Sequence, residues 1–289
     1  MPGRDISTLV DGWAFFEAPR WREDGPDGGG LYLSAMYQHA VVRVGLDGTT
    51  EVVTAFDGIP SGLGWRPDGT LLVVSMEDRR LLAVGPDGTP AEVADLSGLA
   101  PAQINDLVVA STGRAYVTQL GSDLVRGAPL VPAPILRVDP DGSVHQASPH
   151  RLRNPNGVLL SPDDRTLVVA EHRGGRLTAF DVLDDGALDR PRRWADLPAD
   201  PDGICLDADG AVWCALPAAD RFVRVADGGR VLDEVRTDGR HAIAPALGGP
   251  DGRVLFMLTA ETVGREAHLQ ALTARVEVCR VDVPGVGRP

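Results

Sequence analysis

The chain has 289 residues, of which 43% are hydrophobic, so it is long enough to bury a large core. Its net charge of −13 and its pI near 4.8 would repel a phosphate backbone or an anionic membrane surface, so neither nucleic acid nor a membrane is an expected partner. All 28 basic residues are Arg, which excludes Lys-based Schiff-base chemistry and P-loop phosphate binding.

The N-terminal sequence MPGRDISTLVDGWAFF contains no apolar stretch followed by a small-residue cleavage site. No apolar run approaches the roughly 18 residues of a membrane helix. These features predict a cytoplasmic protein. The three cysteines, Cys205, Cys214 and Cys279, lack the spacing of metal ligands and are expected to be core thiols.

A repeating unit of short β-rich runs and Asp-Gly turns fills the chain. Its copies start, in chain order, at Glu17, Ser61, Asn105, Asn156, Asp202 and, in a weaker form, at about Ala244. The starts are 44, 44, 51, 46 and 42 residues apart, and an interval of this length is typical of a propeller blade. Runs such as LLVV and LVVA between Pro-Asp-Gly or Asp-Gly turns predict short antiparallel hairpins.

The repeat therefore predicts an all-β fold, a single six-bladed β-propeller domain over residues 1–289 with four antiparallel strands per blade. The runs ISTLV near Ile6 and RVEVCRVDV after Arg275 would close the ring by sharing one sheet. Helical periodicity is confined to residues 260–275, so a parallel α/β fold lacks its crossover helices. A β-sandwich of similar length remains an alternative.

Equivalent residues of the blades would lie at one height around the axis, so a column of the repeat forms a ring. Four of the six residues at the copy starts are carboxylates or amides: Glu17, Asn105, Asn156 and Asp202. Two buried carboxylates without a counter-charge would be costly, and oxygen ligands suit a hard divalent cation such as Ca²⁺, with Zn²⁺, Mg²⁺ and Mn²⁺ as alternatives. The competing explanation is that these side chains only form Asx-turns.

Five segments resemble the SMP-30/gluconolactonase/regucalcin-like (LRE) family: FFEAPRW at Phe15, QINDLVV at Gln103, RNPNGVLLSPD at Arg153, PDGICLDADGAVW at Pro201 and ALGGPDGRVLF at Ala246. The resemblance implies a six-bladed propeller that binds one divalent metal. It also implies that Glu17, Asn156 and Asp202 are metal ligands, that Asn105 is a ligand or a substrate contact, and that Asp202 is the general base.

A metal with open coordination positions could polarise a lactone or ester carbonyl, which predicts a hydrolase acting on a small molecule. The second strand of each blade would return to the face where the first strand began. The residues at the ends of these second strands therefore form a second column around the mouth of the propeller: Met36, Glu77, Gln119, His172, Pro217 and Glu261. His172 is its only imidazole and is a candidate proton shuttle, so we assign Asp202, Asn105 and His172 as catalytic residues. Glu171 is expected to be a turn or rim residue. His241 is expected just before the first strand of blade six, where it could reach the mouth of the propeller.

The sequence departs from the pattern of sugar lactonases near the third copy. Gln103 stands where Arg is common in that family, and the NDG motif has become NDL with Leu107. These changes remove a charged donor and favour a rather apolar lactone or ester, with Gln103, Gln119 and His241 as substrate contacts. Two other functions stay open: a non-hydrolytic biosynthetic reaction on the same propeller, and a non-catalytic metal or ligand-binding propeller.

Overall fold

The computed structural model describes residues 4–23 and 29–287, apart from the side chain of Val125. Its strands form six four-stranded antiparallel sheets, and the predicted six-bladed β-propeller is confirmed. The chain divides into two compact units. The first contains the described residues up to Ala55 and from Asp202 onward, and the second runs from Phe56 to Pro201. Each unit holds three of the sheets, or blades.

The strands follow the chain order. Blade one, after β1 (Ser7–Trp13), consists of β2 (Phe16–Arg22), β3 (Gly30–Ala35), β4 (Ala40–Val44) and β5 (Thr50–Ala55). Blade two consists of β6 (Pro60–Trp65), β7 (Leu71–Ser75), β8 (Arg80–Val84) and β9 (Pro90–Asp95). Blade three consists of β10 (Ile104–Val109), β11 (Ala115–Gln119), β12 (Leu136–Val138) and β13 (Val144–Gln146).

Blade four consists of β14 (Pro155–Leu160), β15 (Thr166–Glu171), β16 (Arg176–Val182) and β17 (Leu188–Asp196). Blade five consists of β18 (Ile204–Leu206), β19 (Val212–Leu216), β20 (Arg221–Val225) and β21 (Val231–Arg236). Blade six consists of β22 (His241–Gly248), β23 (Val254–Ala260) and β24 (Ala274–Arg280), with β1 as its fourth strand. The helix α1 (Arg265–Ala271) lies between β23 and β24, within the predicted residues 260–275.

The predicted closure of blade six by the two ends of the chain is confirmed. β1 pairs antiparallel with β24, and Ser7 lies opposite Val278. None of the helices within residues 4–23 and 29–287 is both long and apolar enough to cross a lipid bilayer. The prediction of core thiols is confirmed for Cys214 and Cys279, which are buried and free, whereas Cys205 is free but only half-buried.

The hairpin turns form because Asp and Gly occupy positions that suit them. In the turn between β4 and β5, the Oδ1 atom of Asp47 accepts hydrogen bonds from the backbone N–H of Thr49 at 3.0 Å and from its hydroxyl at 2.7 Å. Gly48 follows with φ +82°, a left-handed conformation that glycine adopts without steric cost. The Asp-Gly pair therefore specifies the turn and its place in the sequence.

The alternation of side chains along β11 shows how the blades of the second unit share their cores. Every residue of β11 is buried. Ala115 and Val117 pack into a cluster with Leu72 and Val74 of blade two, whereas Tyr116 packs into a cluster with Val158 and Leu167 of blade four. Because successive side chains of a strand point to opposite faces, one strand contributes to two cores.

The first strands of neighbouring blades approach one another closely. β10 contacts both β6 and β14 in the second unit, and β22 contacts β2 and β18 in the first. A Cβ atom on Gly62 of β6 would lie only 2.5 Å from the backbone nitrogen of Leu107 in β10. In blade six, β22 begins at His241, and Ala244, near which the sixth copy was predicted to start, pairs with Leu258 directly after the register shift between Ala242 and Ala244.

Candidate functional site

The three first strands of the second unit share an irregularity near their N-terminal ends. In β10, Ile104 pairs with Gln119 and Leu107 pairs with Val117, so an extra residue is accommodated between these pairs. The same shift occurs in β6, between Pro60 and Leu63, and in β14, between Pro155 and Val158. Ser61, Asn105 and Asn156 therefore occupy β-bulges, which turn side chains away from the regular pleat.

Asn105 connects these bulges through its side-chain amide. Its Oδ1 atom accepts a hydrogen bond from the Ser61 hydroxyl at 3.1 Å, and its Nδ2 atom donates to Oδ1 of Asn156 at 2.8 Å. Asn105 is only 7% exposed. The bonds fix the orientation of the Asn105 amide, and the amide oxygens of Asn105 and Asn156 each keep one further lone pair for another ligand.

Asp106, which the sequence analysis did not select, links the same two blades. It is buried, and its carboxylate accepts from the backbone N–H of Leu107 at 2.8 Å and from that of Val158 at 3.4 Å. Its own N–H donates to the Thr118 hydroxyl at 2.9 Å. Asp106 thus holds β10 against β14 beside the Asn105–Asn156 pair. Its place in the NDL motif, directly after Asn105, was the available signal.

Glu17 lies at the start of β2 in the first unit, next to a strained residue. Ala18 has φ +50°, which is unfavourable for a residue with a Cβ atom, and its N–H donates to Oε2 of Glu17 at 3.2 Å. The pairing of β2 with β3 shifts between Glu17 and Arg20. The β-bulge of blade one therefore lies directly beside its predicted ligand.

Asp202, also in the first unit, is 8% exposed and lies two residues before β18, a strand that packs against β22. Its backbone N–H donates to the carbonyl of Ala215 at 2.9 Å, and the next N–H, of Gly203, donates to that of Ile243 at 2.9 Å. A side chain on Gly203 would collide with Ala244. Burial, and then the negative charge of Asp202, raise the pKa of the Cys214 thiol, which keeps that thiol protonated.

His241 is the first residue of β22 and does not precede the strand as predicted. Its Nδ1 atom lies 3.1 Å from the carbonyl oxygen of Pro217 and 3.4 Å from Oδ1 of Asp220. Pro217 directly follows β19, so His241 lies at the strand end where the second-strand column was expected. The side chain is half-buried, and the structure thus places it beside a carboxylate at the predicted end of the blades.

His172 and Glu171 differ in their surroundings, although they are adjacent in the sequence. The Nδ1 atom of the half-buried His172 lies 2.8 Å from the carbonyl oxygen of Pro201. Glu171 is fully buried and accepts from Nε of Arg176 at 2.6 Å, so the expectation of a turn or rim residue is wrong. The pattern VVAEH gave no sign of this ion pair, because Arg176 lies on the following strand.

The carboxylate of Glu171 also accepts from the Thr178 hydroxyl at 2.5 Å and from the Arg153 backbone N–H at 2.9 Å. Burial alone would raise its pKa, but the hydrogen bonds from Arg176, Arg153 and Thr178 outweigh that effect and lower the pKa below its ordinary range. Arg153 leads into Asn154, which has φ +55°, and then into β14. Glu171 therefore supports the chain just before Asn156.

Gln103 and Gln119 are both buried near the start of β10 and the end of β11. Nε2 of Gln103 donates to Oδ1 of Asp123 at 3.0 Å, and Nε2 of Gln119 donates to the carbonyl of Pro134 at 3.0 Å. The Gln103 bond is the largest contribution to a lowered pKa of Asp123. The Oε1 atoms of both glutamines are buried and have no hydrogen-bond partner within the described residues. Both amides are thus oriented by their nitrogens.

The residues of the predicted metal site offer a donor set that suits a hard cation. Glu17 and Asp202 supply carboxylate oxygens in the first unit, while Asn105 and Asn156 supply oriented amide oxygens in the second. Residues 4–23 and 29–287 contain no group of three or more His, Cys, Asp or Glu side chains arranged to hold a metal ion. The predicted set requires no such group, because half of its ligands are amides. The donor chemistry fits Ca²⁺.

Comparison with known proteins gives a consistent family relationship. A family model described as "SMP-30/Gluconolactonase/LRE-like region" matches residues 15–261. A pentonolactonase of Haloferax volcanii is 25% identical over 237 residues, which span 79% of this chain and 78% of that protein. The residues that the family model matches include every predicted site residue from Glu17 to His241.

Two solved structures have the same fold. A gluconolactonase from Xanthomonas campestris matches with a TM-score of 0.75 and 24% identity, over 97% of this chain and 90% of that one. A calcium-binding protein, regucalcin, from Agrobacterium tumefaciens matches with a TM-score of 0.79 and 21% identity, over 99% of this chain and 97% of that one. At these identities the likeness shows the fold alone.

Proposed function

Because the chain belongs to the SMP-30/gluconolactonase/LRE-like family, we propose that it is a metal-dependent hydrolase that opens a small, rather apolar lactone or ester. The observation that carries the proposal is the ordered Asn105–Asn156 amide pair, which the bulges of β10 and β14 present at the strand end where His172 also lies. A purely structural scaffold would not need polar amides at two successive bulges.

The proposed ligands of one divalent ion, Ca²⁺ by preference, are Glu17, Asn156 and Asp202, with Asn105 as a further ligand or a substrate contact. When bound, such an ion would polarise the substrate carbonyl and stabilise the negative charge that develops on its oxygen. Two carboxylates would balance its two positive charges. The regucalcin match supports a calcium-type ion, since that neighbour is described as calcium-binding.

Asp202 is the proposed general base, which would accept a proton from the attacking water. Its neighbour Cys214 cannot compete for this role, because burial and the charge of Asp202 keep the thiol protonated. His172 is the proposed proton shuttle: its Nδ1 atom faces the carbonyl of Pro201, so this nitrogen carries the proton and Nε2 is the acceptor. The tautomer follows from the hydrogen bond, because a carbonyl oxygen only accepts.

Gln103, Gln119 and His241 are the proposed substrate contacts. Gln103 replaces a cation by a neutral amide whose nitrogen already donates to Asp123, so it offers a polyol substrate no charged donor. Leu107 is fully buried in the core cluster that blades two and three share, so it adds no apolar surface to the site, and the prediction based on it is wrong. The absence of a charged donor at Gln103 is therefore what favours a lactone or ester with an alkyl or aryl substituent over a sugar lactone.

The test is a hydrolysis assay on the purified protein with γ-lactones, δ-lactones and aryl esters. EDTA-treated protein should be inactive, and adding Ca²⁺ should restore turnover of at least one alkyl-substituted member and raise the melting temperature. Calorimetry should give about one ion per chain. Turnover that is unaffected by EDTA would contradict the metal dependence. Ca²⁺ binding without turnover of any panel member would favour a ligand-binding propeller instead.

A further inference from the structure

Helix α1 belongs to an insertion in blade six of the first unit. The connection between the second and third strands of this blade spans residues 261–273, whereas the equivalent connections of blades one and five span only residues 36–39 and 217–220. All three connections leave the blades at the end where β2, β18 and β22 begin. The insertion therefore lies at the same strand end as Glu17.

His268 fastens this insertion to the start of blade one. The residue is 4% exposed, and its ring packs against Phe15 with 4.4 Å between the centroids and a tilt of 40° between the planes. It also stacks on Tyr37 with 6.0 Å between the centroids. Its Nδ1 atom lies 2.9 Å from the Thr262 hydroxyl, so the polar atom is satisfied within the insertion itself. Arg265, one turn earlier on α1, lies over the ring of Tyr37 at 5.6 Å.

The surroundings of His268 favour the neutral form of its ring, which suits a permanent contact with aromatic side chains. Burial, and to a lesser extent the charge of His241, lower the pKa of His268 below its ordinary value, which favours the neutral imidazole at neutral pH. A neutral ring packs on aromatic side chains without the cost of burying a charge. The contact therefore holds the insertion and Phe15 together.

Phe15 directly precedes β2, so its position affects how the chain enters this strand. Its carbonyl accepts from the backbone N–H of Met36 at 3.2 Å, and Glu17 follows two residues later. Ala18, the next residue, has the unfavourable φ of +50°. A strained residue keeps its conformation only where the surrounding structure over-determines it. The ring contact between His268 and Phe15 restrains the chain three residues before Ala18.

We propose that His268 is a positioning residue for Glu17, acting through its ring contact with Phe15. The proposal rests on the proposed function, because Glu17 matters through the metal that it would hold. Loss of the imidazole should free the segment before β2 and allow Ala18 to relax, which would turn the Glu17 carboxylate away. The ring contact with Phe15 should account for the change in metal binding, and the hydrogen bond to Thr262 should contribute little.

The test compares His268→Ala and His268→Phe with the wild-type protein, and His150→Ala serves as a matched control. His150 is a half-buried imidazole in an aromatic contact of its own, since it packs edge-on against Phe180 in blade four with 5.8 Å between the centroids. Calorimetric titration with Ca²⁺ and the melting temperature in EDTA are measured for each protein. Metal affinity is the decisive quantity, because a merely structural role would lower the melting temperature alone.

We expect His268→Ala to weaken Ca²⁺ binding by about tenfold or more, His268→Phe to stay within about threefold of wild type, and His150→Ala to leave the affinity unchanged. Wild-type affinity in a folded His268→Ala variant, or an equal loss in His150→Ala, overturns the proposal. If His268→Ala does not fold, Phe15→Leu takes its place, and unchanged affinity there overturns the proposal equally. Absence of Ca²⁺ binding in the wild type would instead refute the metal site itself.

Discussion

The substitution Glu171→Gln removes a fully buried charge that supports the chain just before Asn156. Glu171 has no exposed surface and accepts four hydrogen bonds, from Nε and Nη2 of Arg176, the Thr178 hydroxyl and the Arg153 backbone N–H. Gln has nearly the same shape, but it offers a single acceptor oxygen and would turn an amide N–H toward one of these donors. The variant therefore removes the charge and mismatches at least one hydrogen bond.

The expected loss follows from the surroundings of the ion pair. Breaking a fully buried pair typically costs about 3–5 kcal/mol, because the remaining charge is left without a counter-ion. The side chain of Arg176 is 28% exposed, so water would partly compensate its charge. We therefore expect Glu171→Gln to lower the free energy of unfolding by about 3 kcal/mol at pH 7. Thr178→Val, which removes only one donor, should cost about 1 kcal/mol.

The pH dependence gives an independent check on the charge. The pKa of Glu171 in the folded protein lies below its ordinary value of 4.5, so its stabilising effect is complete above the unfolded pKa and is lost as the pH falls through the folded pKa. The difference between wild type and Glu171→Gln should thus be constant from pH 7 to about pH 5 and should narrow below about pH 4.5.

Urea unfolding followed by tryptophan fluorescence, in EDTA and at several pH values, measures both effects. The matched control is Asp181→Asn in the same blade, which removes a carboxylate from the exposed Arg190–Asp181 pair and should change the stability by less than about 0.5 kcal/mol. A loss below about 1 kcal/mol in Glu171→Gln, or a difference that persists unchanged at pH 3, would refute the assignment of a stabilising buried carboxylate.

Two predictions concern the proposed reaction. Asp202→Ala should reduce kcat by about 10²-fold or more and weaken Ca²⁺ binding while the far-UV circular dichroism stays unchanged, and near-full activity on an identified substrate would show that Asp202 is neither ligand nor base. An alkyl-substituted lactone should be hydrolysed at least about tenfold better in kcat/KM than glucono-δ-lactone, because Gln103 lacks a charged donor worth roughly 1.5–3 kcal/mol, and a preference for the sugar lactone would reverse the substrate assignment.

The blade architecture could be predicted from the sequence because its determinants are local. An Asp-Gly turn fixes a hairpin through hydrogen bonds within three residues, as in Asp47 and Thr49, and this signal recurs at intervals of one blade. The closing strand could also be predicted, since β1 and β24 both have β-rich sequences near the ends of the chain. The sixth copy was the weakest, because its bulge between Ala242 and Ala244 lies among small apolar residues.

The surroundings of the site residues could not be predicted in the same way, because they depend on contacts across strands. Glu171 looks like a loop residue in VVAEHRGG, and only the pairing of β15 with β16 brings Arg176 and Thr178 to it. The role of His268 depends on an insertion whose sequence predicts only a short helix. Spacing identifies which residues share a column, whereas burial and partners follow from the packing of neighbouring strands.

The bulges at the starts of β6, β10 and β14 connect the fold to the proposed chemistry. A bulge leaves an extra residue out of the ladder and so weakens the sheet locally. A sheet optimised only for stability would not repeat such a defect at the same height in three successive strands. Each of these bulges contains one of Ser61, Asn105 and Asn156, and hydrogen bonds join the three side chains in series. The bulges of β10 and β14 orient the amide oxygens of Asn105 and Asn156, which supports the proposed metal site, and the bulge of β2 lies beside Glu17, whereas that of β22 lies among small apolar residues.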